Sequence, residues 1–384
     1  MTSHEITSTS KLRVLIVGGG VAALETALAL HDLAPGLTAT TVLAPNAEFV
    51  NRPMTVREPF AYPRARRYTL APIVLDAGAE LIADELARVD ADERTVHTTG
   101  GRELEYDALV LALGARISPR YEHALTIDDR VLDEALHGLI QDIEDGYVSS
   151  IAFVAPARMA WPLPLYEIAM MTAGRAYDMN VKLATTIVTP EESPLGIFGS
   201  AASDGVRELL AAAGIETITS AHAEVPHNGE VVINPGDRRL EVDRVVALPE
   251  LYGPAIRGVR LGEHGFLRVD EFCRMPGQER VFAAGDATEF AVKHGGISSQ
   301  QADTVAESIA AMAGAEITPR PFRPVIRGML LTGEKPRYLT ARIAGGQGFS
   351  SEITDAPTWS PSSKVSSRYL APYLDAHDRA GVTA

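Results

Sequence analysis

The chain has 384 residues, of which 46% are hydrophobic, and a formal net charge of -15 at pH 7. This length and composition predict two or three compact units with ample core. The negative charge argues against nucleic acid or an anionic membrane as a partner, because both would repel the average surface. The single cysteine, Cys273, excludes an intramolecular disulfide and a cysteine-rich metal or iron-sulfur site. We expect Cys273 to be structural and to lie in a surface turn.

The first ten residues, MTSHEITSTS, are polar and lack the apolar core of a signal peptide. The longest apolar runs are interrupted by charge or proline before they reach membrane-spanning length. We therefore predict a cytoplasmic protein without a transmembrane segment.

The first predicted element is a β-branched strand from Lys11 to Val17, followed at once by a glycine turn and a helix. Gly18 allows the tight turn, and Gly20 lets backbone amides approach a pyrophosphate with no side chain between them. Ala23, at the third glycine position, is small enough for the helix to pack on the strand. The pattern predicts a dinucleotide at the helix N-terminus, where free amides and the positive dipole end meet the phosphates. The residues predicted to bind it are Gly18, Gly20, Val21, Ala22 and Ala23.

A second motif lies far down the chain, where the strand that starts at Arg280 ends in Gly285-Asp286. Together the two motifs resemble the flavoproteins of the pyridine-nucleotide-disulfide oxidoreductase superfamily, which contain two dinucleotide-type domains. The resemblance implies that FAD is the cofactor and that the Asp286 carboxylate bonds the ribityl chain. It also implies that the strand leading through Ala112 to the turn at Gly114 leaves the FAD domain.

The second strand, Leu37 to Leu43, is followed by Ala44, where the fingerprint requires Asp or Glu on the adenosine ribose. Glu48 or Asn46 could reach the ribose instead, and the sequence leaves this contact open. The following Arg52-Pro53 resembles the loop placed against the flavin in the branch of sulfide:quinone oxidoreductases and type II NADH dehydrogenases. The alternative is a loop that proline merely stiffens.

A second dinucleotide-type unit is predicted to begin at the strand Ser150 to Ala155. The turn after it, Pro156 to Pro164, contains no glycine. Proline offers no amide hydrogen to a phosphate, and larger side chains prevent close backbone approach. We therefore expect that a nicotinamide dinucleotide does not dock there in the usual way. The turn resembles that of the second domain of sulfide:quinone oxidoreductases, although the sulfur chemistry of those enzymes requires cysteines that this chain lacks.

The segment Lys293-His294-Gly295-Gly296 resembles the Lys-Thr-Gly segment of the same branch, which faces the pyrimidine edge of the flavin. The resemblance places Lys293 near flavin N1/O2, where a positive charge favours the anionic reduced flavin. It also makes Gly296 a cofactor contact. The alternative for Lys293 is a surface position. His294 either relays a proton to flavin or substrate or is a hydrogen-bonded loop residue. The next helix is predicted from Gln300 to Ala313.

The sequence therefore predicts an α/β fold with two Rossmann-like domains and a small α+β C-terminal region. The predicted segments are an FAD domain at 11–120 and 246–318, an inserted domain at 121–245, and an interface or flavin-covering region at 319–384. We expect the tail to pack over the flavin or against a second subunit, so a homodimer is one prediction.

The predicted function is that of an FAD-dependent oxidoreductase without cysteine chemistry. It would pass electrons from an unidentified small-molecule or protein donor to a quinone-like or protein acceptor. The alternatives are an NAD(P)H dehydrogenase with an unorthodox nicotinamide site and a non-catalytic FAD-binding sensor or interaction module.

Overall fold

The computed structural model describes residues 11–344 and 348–382. The polar stretch at positions 1–10, interpreted above as lacking a signal core, lies outside the described residues.

The first part of the chain forms the dinucleotide-type unit predicted around the glycine turn. Its helices are α1 (Val21–Leu33) and α2 (Leu70–Asp76), with a 3₁₀ helix at Arg52–Phe60. Its strands are β1 (Leu12–Val17), β2 (Thr38–Leu43), β3 (Glu48–Val50), β4 (Arg67–Thr69), β5 (Glu80–Ile82), β6 (Leu86–Asp90), β7 (Thr95–Thr98), β8 (Glu103–Glu105), β9 (Ala108–Leu111) and β10 (Arg116–Ser118).

The middle of the chain forms a second unit of the same kind. Its helices are α3 (Leu132–Glu144), α4 (Leu163–Asp178) and α5 (Ser200–Ala212). Its strands are β11 (Leu125–Thr126), β12 (Ser150–Val154), β13 (Ala184–Val188), β14 (Ile215–Ile218), β15 (His222–His227), β16 (Glu230–Asn234), β17 (Arg238–Glu241) and β18 (Arg244–Ala247).

The chain then returns to the first unit and ends in a smaller region. The return comprises β19 (Glu250–Tyr252), β20 (Arg274–Met275), β21 (Gln278–Ala283) and α6 (Gly295–Met312). The C-terminal region comprises β22 (Val325–Leu330), β23 (Arg337–Ala344), β24 (Gly348–Thr354) and α7 (Leu370–Val382). The four segment boundaries predicted from the sequence remain a proposal.

Each unit is built on a largely or wholly parallel sheet. The first has the order β20-β21-β9-β1-β2-β5, in which only β20 pairs antiparallel. The second has the order β11-β18-β12-β13-β14 and is parallel throughout. The central strands are nearly continuous apolar runs, as sheets covered on both faces require. The predicted α/β class with two Rossmann-like units is confirmed.

Helix α1 packs against α6, although the two are far apart in sequence. Leu24 and Ala27 of α1, like Ala302 and Ile309 of α6, are at most 1% exposed. Alanines let the helix backbones approach, and each fully buried leucine or isoleucine contributes about 1.5–3 kcal/mol. This packing brings the start of α6 beside the glycine turn that precedes α1.

Two sequence expectations are wrong in detail. Helix α6 begins at Gly295 rather than Gln300, because the His294 side chain caps it by accepting a hydrogen bond from the Gly296 N–H at 3.0 Å. Cys273 is 1% exposed rather than in a surface turn. Its carbonyl accepts a hydrogen bond from Ala283 N–H of β21, which draws the turn onto the sheet. Burial raises the pKa of the Cys273 thiol to about 12.

Among the described residues, no helix combines the length and the apolar character needed to cross a bilayer.

Candidate functional site

Gly18 sits where β1 turns into α1, and the neighbouring strand leaves no room for a side chain there. Its φ is +128°, and a Cβ would lie 2.2 Å from the Ala112 carbonyl oxygen at the end of β9. Any other residue would therefore clash with backbone. The two predicted site residues are in contact, and they fix the turn at the carboxyl ends of β1 and β9.

The glycine at position 20 is not explained by a clash or by a positive φ, as Gly18 is. Its φ of -93° suits any residue, and no atom lies within 4 Å of the position of a Cβ. The protein's own packing does not require glycine at this position. The open space lies before the N-terminus of α1, where Val21 is half-buried and Ala22 and Ala23 are buried. It suits a phosphate group, which the helix amides and dipole would bind.

The Gly285-Asp286 turn lies between the N-termini of α1 and α6. Gly285 has a φ of +77°, and a Cβ would lie 3.2 Å from the Cβ of Ala22 in α1 and 3.1 Å from Ser298 Oγ in α6. Its N–H donates to Gln301 Oε1 at 2.8 Å. The turn is therefore held at the point where both helix N-termini meet, which explains the glycine.

The Asp286 carboxyl group lies next to that turn and is largely shielded from water. Burial raises its pKa to about 6, although the Lys293 ammonium opposes the shift. Its hydrogen bond to a protein side chain is a long one, in which Ser298 Oγ donates to Oδ1 at 3.4 Å. The carboxyl oxygens thus keep capacity for hydroxyl donors, which fits the ribityl role predicted for Asp286.

Lys293 is buried, with 7% of the residue exposed. Its ammonium donates to the Thr288 carbonyl oxygen and lies 4.0 Å from the centroid of the Phe266 ring. Burial lowers its pKa to about 8, while the charges of Asp286 and Glu289 oppose the shift. The surface alternative for Lys293 therefore does not describe this structure, whereas its placement at flavin N1/O2 stays a prediction.

Arg52 and Pro53 open the 3₁₀ helix that follows β3. The Arg52 guanidinium forms an ion pair with Asp129, Nη1 to Oδ1, at 3.2 Å. Burial raises the pKa of Asp129, and the charge of Asp129 in turn contributes to the raised pKa of Asp286. The sequence analysis did not identify Asp129 as a site residue. The one local indication was that Asp129 follows a strand, β11, by three residues.

The other predicted cofactor contacts are backbone positions. Gly114 follows β9 with a φ of +74° and open space around its missing Cβ. Ala44 is buried, and the Glu48 carboxylate is directed to Arg67 at 3.6 Å. The residue that contacts the adenosine ribose therefore stays open.

His294 connects the start of α6 to the second unit. Its Nδ1 accepts from the Gly296 N–H, so the neutral ring carries its proton on Nε2. Nε2 is buried and has no partner among the described residues. Burial lowers the pKa of His294 to about 3, which keeps the ring neutral. His294 is therefore a neutral capping residue whose Nε2–H is enclosed by protein in this structure.

The turn after β12 is filled by its own side chains. Arg158 forms an ion pair with Glu250, Nη2 to Oε2, at 2.7 Å, and its guanidinium lies 4.7 Å from the centroid of the Tyr252 ring. Pro162 precedes α4 and Pro164 lies in its first turn, so neither position offers an amide hydrogen. This end of α4 therefore has fewer backbone amide donors than a pyrophosphate site of the usual kind.

Trp161 ends this turn and packs on the segment predicted to face the flavin. Its ring lies 4.3 Å from that of His294, centroid to centroid, and 5.6 Å from that of Phe198. The Ala160 carbonyl oxygen also accepts from the Lys293 N–H at 3.3 Å. Sequence analysis identified the unusual turn but missed this contact, because the contact depends on how the two units pack.

The predicted groups thus converge at the carboxyl ends of β1, β9 and β21, where open α/β sheets bind their ligands. A sequence profile of the pyridine nucleotide-disulphide oxidoreductase family matches residues 12–124 and 167–311. The chain belongs to this family. The family resemblance predicted from the two motifs is confirmed, and the protein is an FAD-dependent oxidoreductase.

Relatives of this flavoprotein fall in the predicted branch. An NADH dehydrogenase-like protein of Mycobacterium tuberculosis is 27% identical over 297 residues, which cover 71% of this chain and 72% of that protein. A sulfide-quinone reductase of Aquifex aeolicus is 24% identical over 274 residues, covering 63% of this chain and 59% of that protein. The solved sulfide:quinone oxidoreductase of Aquifex aeolicus has a TM-score of 0.81 at 20% identity, covering 96% of this chain and 90% of that one.

The residues present fit FAD. The space before Gly20 is open, the Asp286 oxygens keep capacity for donors, and the helix starts converge at Gly285. The cofactor role of each predicted residue is still a proposal.

Proposed function

We propose that this FAD-dependent oxidoreductase receives electrons from a donor other than NADH or NADPH and passes them to a quinone-like or protein acceptor. No cysteine takes part in the proposed reaction. The donor and acceptor are small molecules or proteins, and a cytoplasmic location and a homodimer stay predictions of the sequence.

The observation that carries this proposal is the contact of Trp161 with His294. In the first unit, the glycine turn leaves open space before α1, whereas in the second unit the equivalent turn is closed by Trp161 and Arg158. Bulky side chains and two prolines occupy the positions where a second dinucleotide would need glycines and amides. This contrast supports one dinucleotide site rather than two.

The state of Cys273 supports the absence of thiol chemistry. The thiol is buried, and its pKa is raised by burial to about 12. Thiolates rather than thiols are the nucleophiles in disulfide and persulfide chemistry. Cys273 is therefore unsuited to either reaction.

The bound flavin would supply two-electron redox chemistry, and the protein would hold it, tune it and control access. We assign Asp286 to bind the ribityl hydroxyls and the starts of α1 and α6 to stabilise negative charge. Lys293 adds a positive charge near that end. His294 would not relay protons as a cation, because its pKa of about 3 keeps the ring neutral.

The relative from Mycobacterium tuberculosis favours a second candidate, an NAD(P)H dehydrogenase with an unorthodox nicotinamide site. Anaerobic stopped-flow mixing separates the two. We expect NADH and NADPH to leave the flavin oxidised for many turnover times, while dithionite bleaches it. Full bleaching within about a second at sub-millimolar nucleotide, which is ordinary turnover, would establish the dehydrogenase instead.

The acceptor is tested with protein whose flavin has first been reduced. Photoreduced protein mixed anaerobically with a water-soluble quinone should reoxidise at a catalytic rate. Failure with quinones and with protein acceptors such as ferredoxin or cytochrome would favour the non-catalytic FAD-binding sensor.

A further inference from the structure

Two fully buried glutamates hold the same C-terminal segment, residues 363–370, here called the strap. Glu25 lies in α1 and Glu167 in α4, and each is 0% exposed. A buried carboxylate is costly unless it is paired and hydrogen-bonded. Both glutamates obtain their partners largely from the strap.

Glu167 binds the beginning of the strap. Its Oε2 lies 2.7 Å from the Lys364 ammonium, whose side chain is 5% exposed, and its Oε1 accepts from the Leu331 N–H at 2.9 Å. The ion pair is therefore enclosed between the second unit and the C-terminal region. Without Lys364, the Glu167 charge would be buried with a single backbone donor.

Glu25 binds the end of the strap. Its Oε1 accepts from the N–H groups of Arg368 at 2.7 Å and Tyr369 at 2.9 Å, and its Oε2 accepts from that of Leu370 at 2.6 Å. These amides lie at and just before the start of α7, so Glu25 adds to the cap that Ser367 Oγ provides by accepting from the Ala371 N–H at 2.7 Å.

The two glutamates occupy equivalent positions. Glu25 is the fifth residue of α1, which follows β1, and Glu167 is the fifth residue of α4, which follows β12. Each helix follows a central strand of its own parallel sheet. The strap therefore joins the same point of two similar units.

Between its anchors, the strap lies on the N-terminus of α6. A Cβ on Gly295 would lie 2.8 Å from Val365 Cγ2, and Ser299 Oγ donates to the Ser366 carbonyl oxygen at 2.9 Å. Arg327 also donates to Ser366 Oγ at 3.4 Å. This is the helix start that the proposed site places at the flavin, so the strap closes one side of that site.

We infer that the strap is a latch for the cofactor, anchored by Glu25 and Glu167, and that its release from these anchors is the step that lets FAD leave or enter. The inference rests on the proposed placement of the flavin at the α6 N-terminus. A latch that joins both units must open before the cleft between them can widen. FAD exchange should therefore be limited by the strap.

The test measures FAD dissociation by the rise of free-flavin fluorescence after dilution of the holoprotein. Lys364→Met and Glu25→Gln should each accelerate release at least about tenfold, since each leaves a buried polar group without a partner. Lys364→Arg, which keeps the charge, should release FAD more slowly than Lys364→Met. The control is Glu191→Gln, because Glu191 is a largely buried carboxylate that binds Tyr166 and makes no bond to the strap.

Release at the wild-type rate from both anchor variants would overturn the inference, and so would equal acceleration by Glu191→Gln. Amide exchange in the wild type provides a test that does not depend on variant folding. FAD should slow exchange at Arg368, Tyr369 and Leu370, and exchange unaffected by FAD would also overturn the latch. A wild-type protein that retains no FAD would instead reject the proposed cofactor site.

Discussion

The indole of Trp161 stacks on the imidazole of His294, with ring centroids 4.3 Å apart and planes inclined by 29°. One ring belongs to the turn after β12 and the other caps α6, so the contact joins the two dinucleotide-type units at the proposed flavin. It also shields the imidazole from water. The turn at which we expect no second dinucleotide to dock thus contributes to the burial that keeps His294 neutral.

His294 should make the protein sensitive to acid. The pKa of His294 in the folded protein, about 3, lies below the ordinary value of 6.5. As the pH is lowered below 6.5, the unfolded chain therefore binds a proton before the folded protein does, and the free energy of unfolding decreases. Relative to His294→Gln, the wild type should lose about 1.4 kcal/mol per pH unit between pH 6 and 4.5. Denaturant unfolding at several pH values measures this slope. Parallel profiles for the two proteins would contradict the shielded, neutral ring.

Gly20→Val should abolish FAD retention while leaving the protein folded. The Cβ meets no protein atom and the backbone φ is ordinary, so the fold tolerates the side chain, which then fills the space assigned to the pyrophosphate. Flavin content after gel filtration and the thermal unfolding midpoint together decide the outcome. The matched control is Gly138→Val in α3, where a Cβ also meets open space. Normal flavin content in the Gly20 variant would refute the phosphate site.

Lys293→Met should lower the flavin midpoint potential. An ammonium near N1/O2 stabilises charge that exists only after reduction, by about 1 to 3 kcal/mol. That free energy corresponds to roughly 20 to 65 mV for a two-electron couple. A dye-coupled redox titration measures the shift, with Lys182→Met, at an exposed lysine of the second unit, as control. An unchanged potential at full flavin occupancy would remove Lys293 from the tuning of the cofactor.

Asp303→Asn should stabilise the protein more at pH 8 than at pH 5. Burial and the nearby Glu25 charge raise the pKa of Asp303 to about 8, and its Oδ1 has no partner among the described residues. Because this pKa exceeds the unfolded value, stability is lost as pH rises from about 4 through 8. Thermal unfolding of both proteins at the two pH values is the measurement. A larger gain at pH 5 would reverse the assigned direction.

Cys273 should not react with a thiol reagent in the native protein. The thiol is 1% exposed, and its pKa of about 12 leaves almost no thiolate at pH 8. Labelling with Ellman's reagent should therefore require denaturant. Rapid labelling of the folded holoprotein would show that Cys273 is accessible and would reopen the possibility of thiol chemistry.

Most of the correct predictions came from patterns of residues that are close together in the sequence. The strand and glycine turn at Gly18, the strand ending in Gly285-Asp286 and the proline-rich turn after β12 are each set by residues close in sequence. The burial of Cys273 and the contact between Trp161 and His294 depend on how separate elements pack, which short motifs do not specify. Glu25 offered a signal, as an acidic residue among the alanines and leucines of α1, but not the identity of its partner.

The latch also determines when the protein can finish folding. Glu25 is synthesised early, yet its three hydrogen-bond donors follow 343 to 345 residues later. At a synthesis rate of about 5 to 20 residues per second, these donors are made roughly 20 to 70 seconds after Glu25. The first unit therefore completes its core only after α7 has been made, and contacts this distant in sequence form slowly. A ribosome that stalls before the strap leaves a chain with two carboxylates inside incomplete cores.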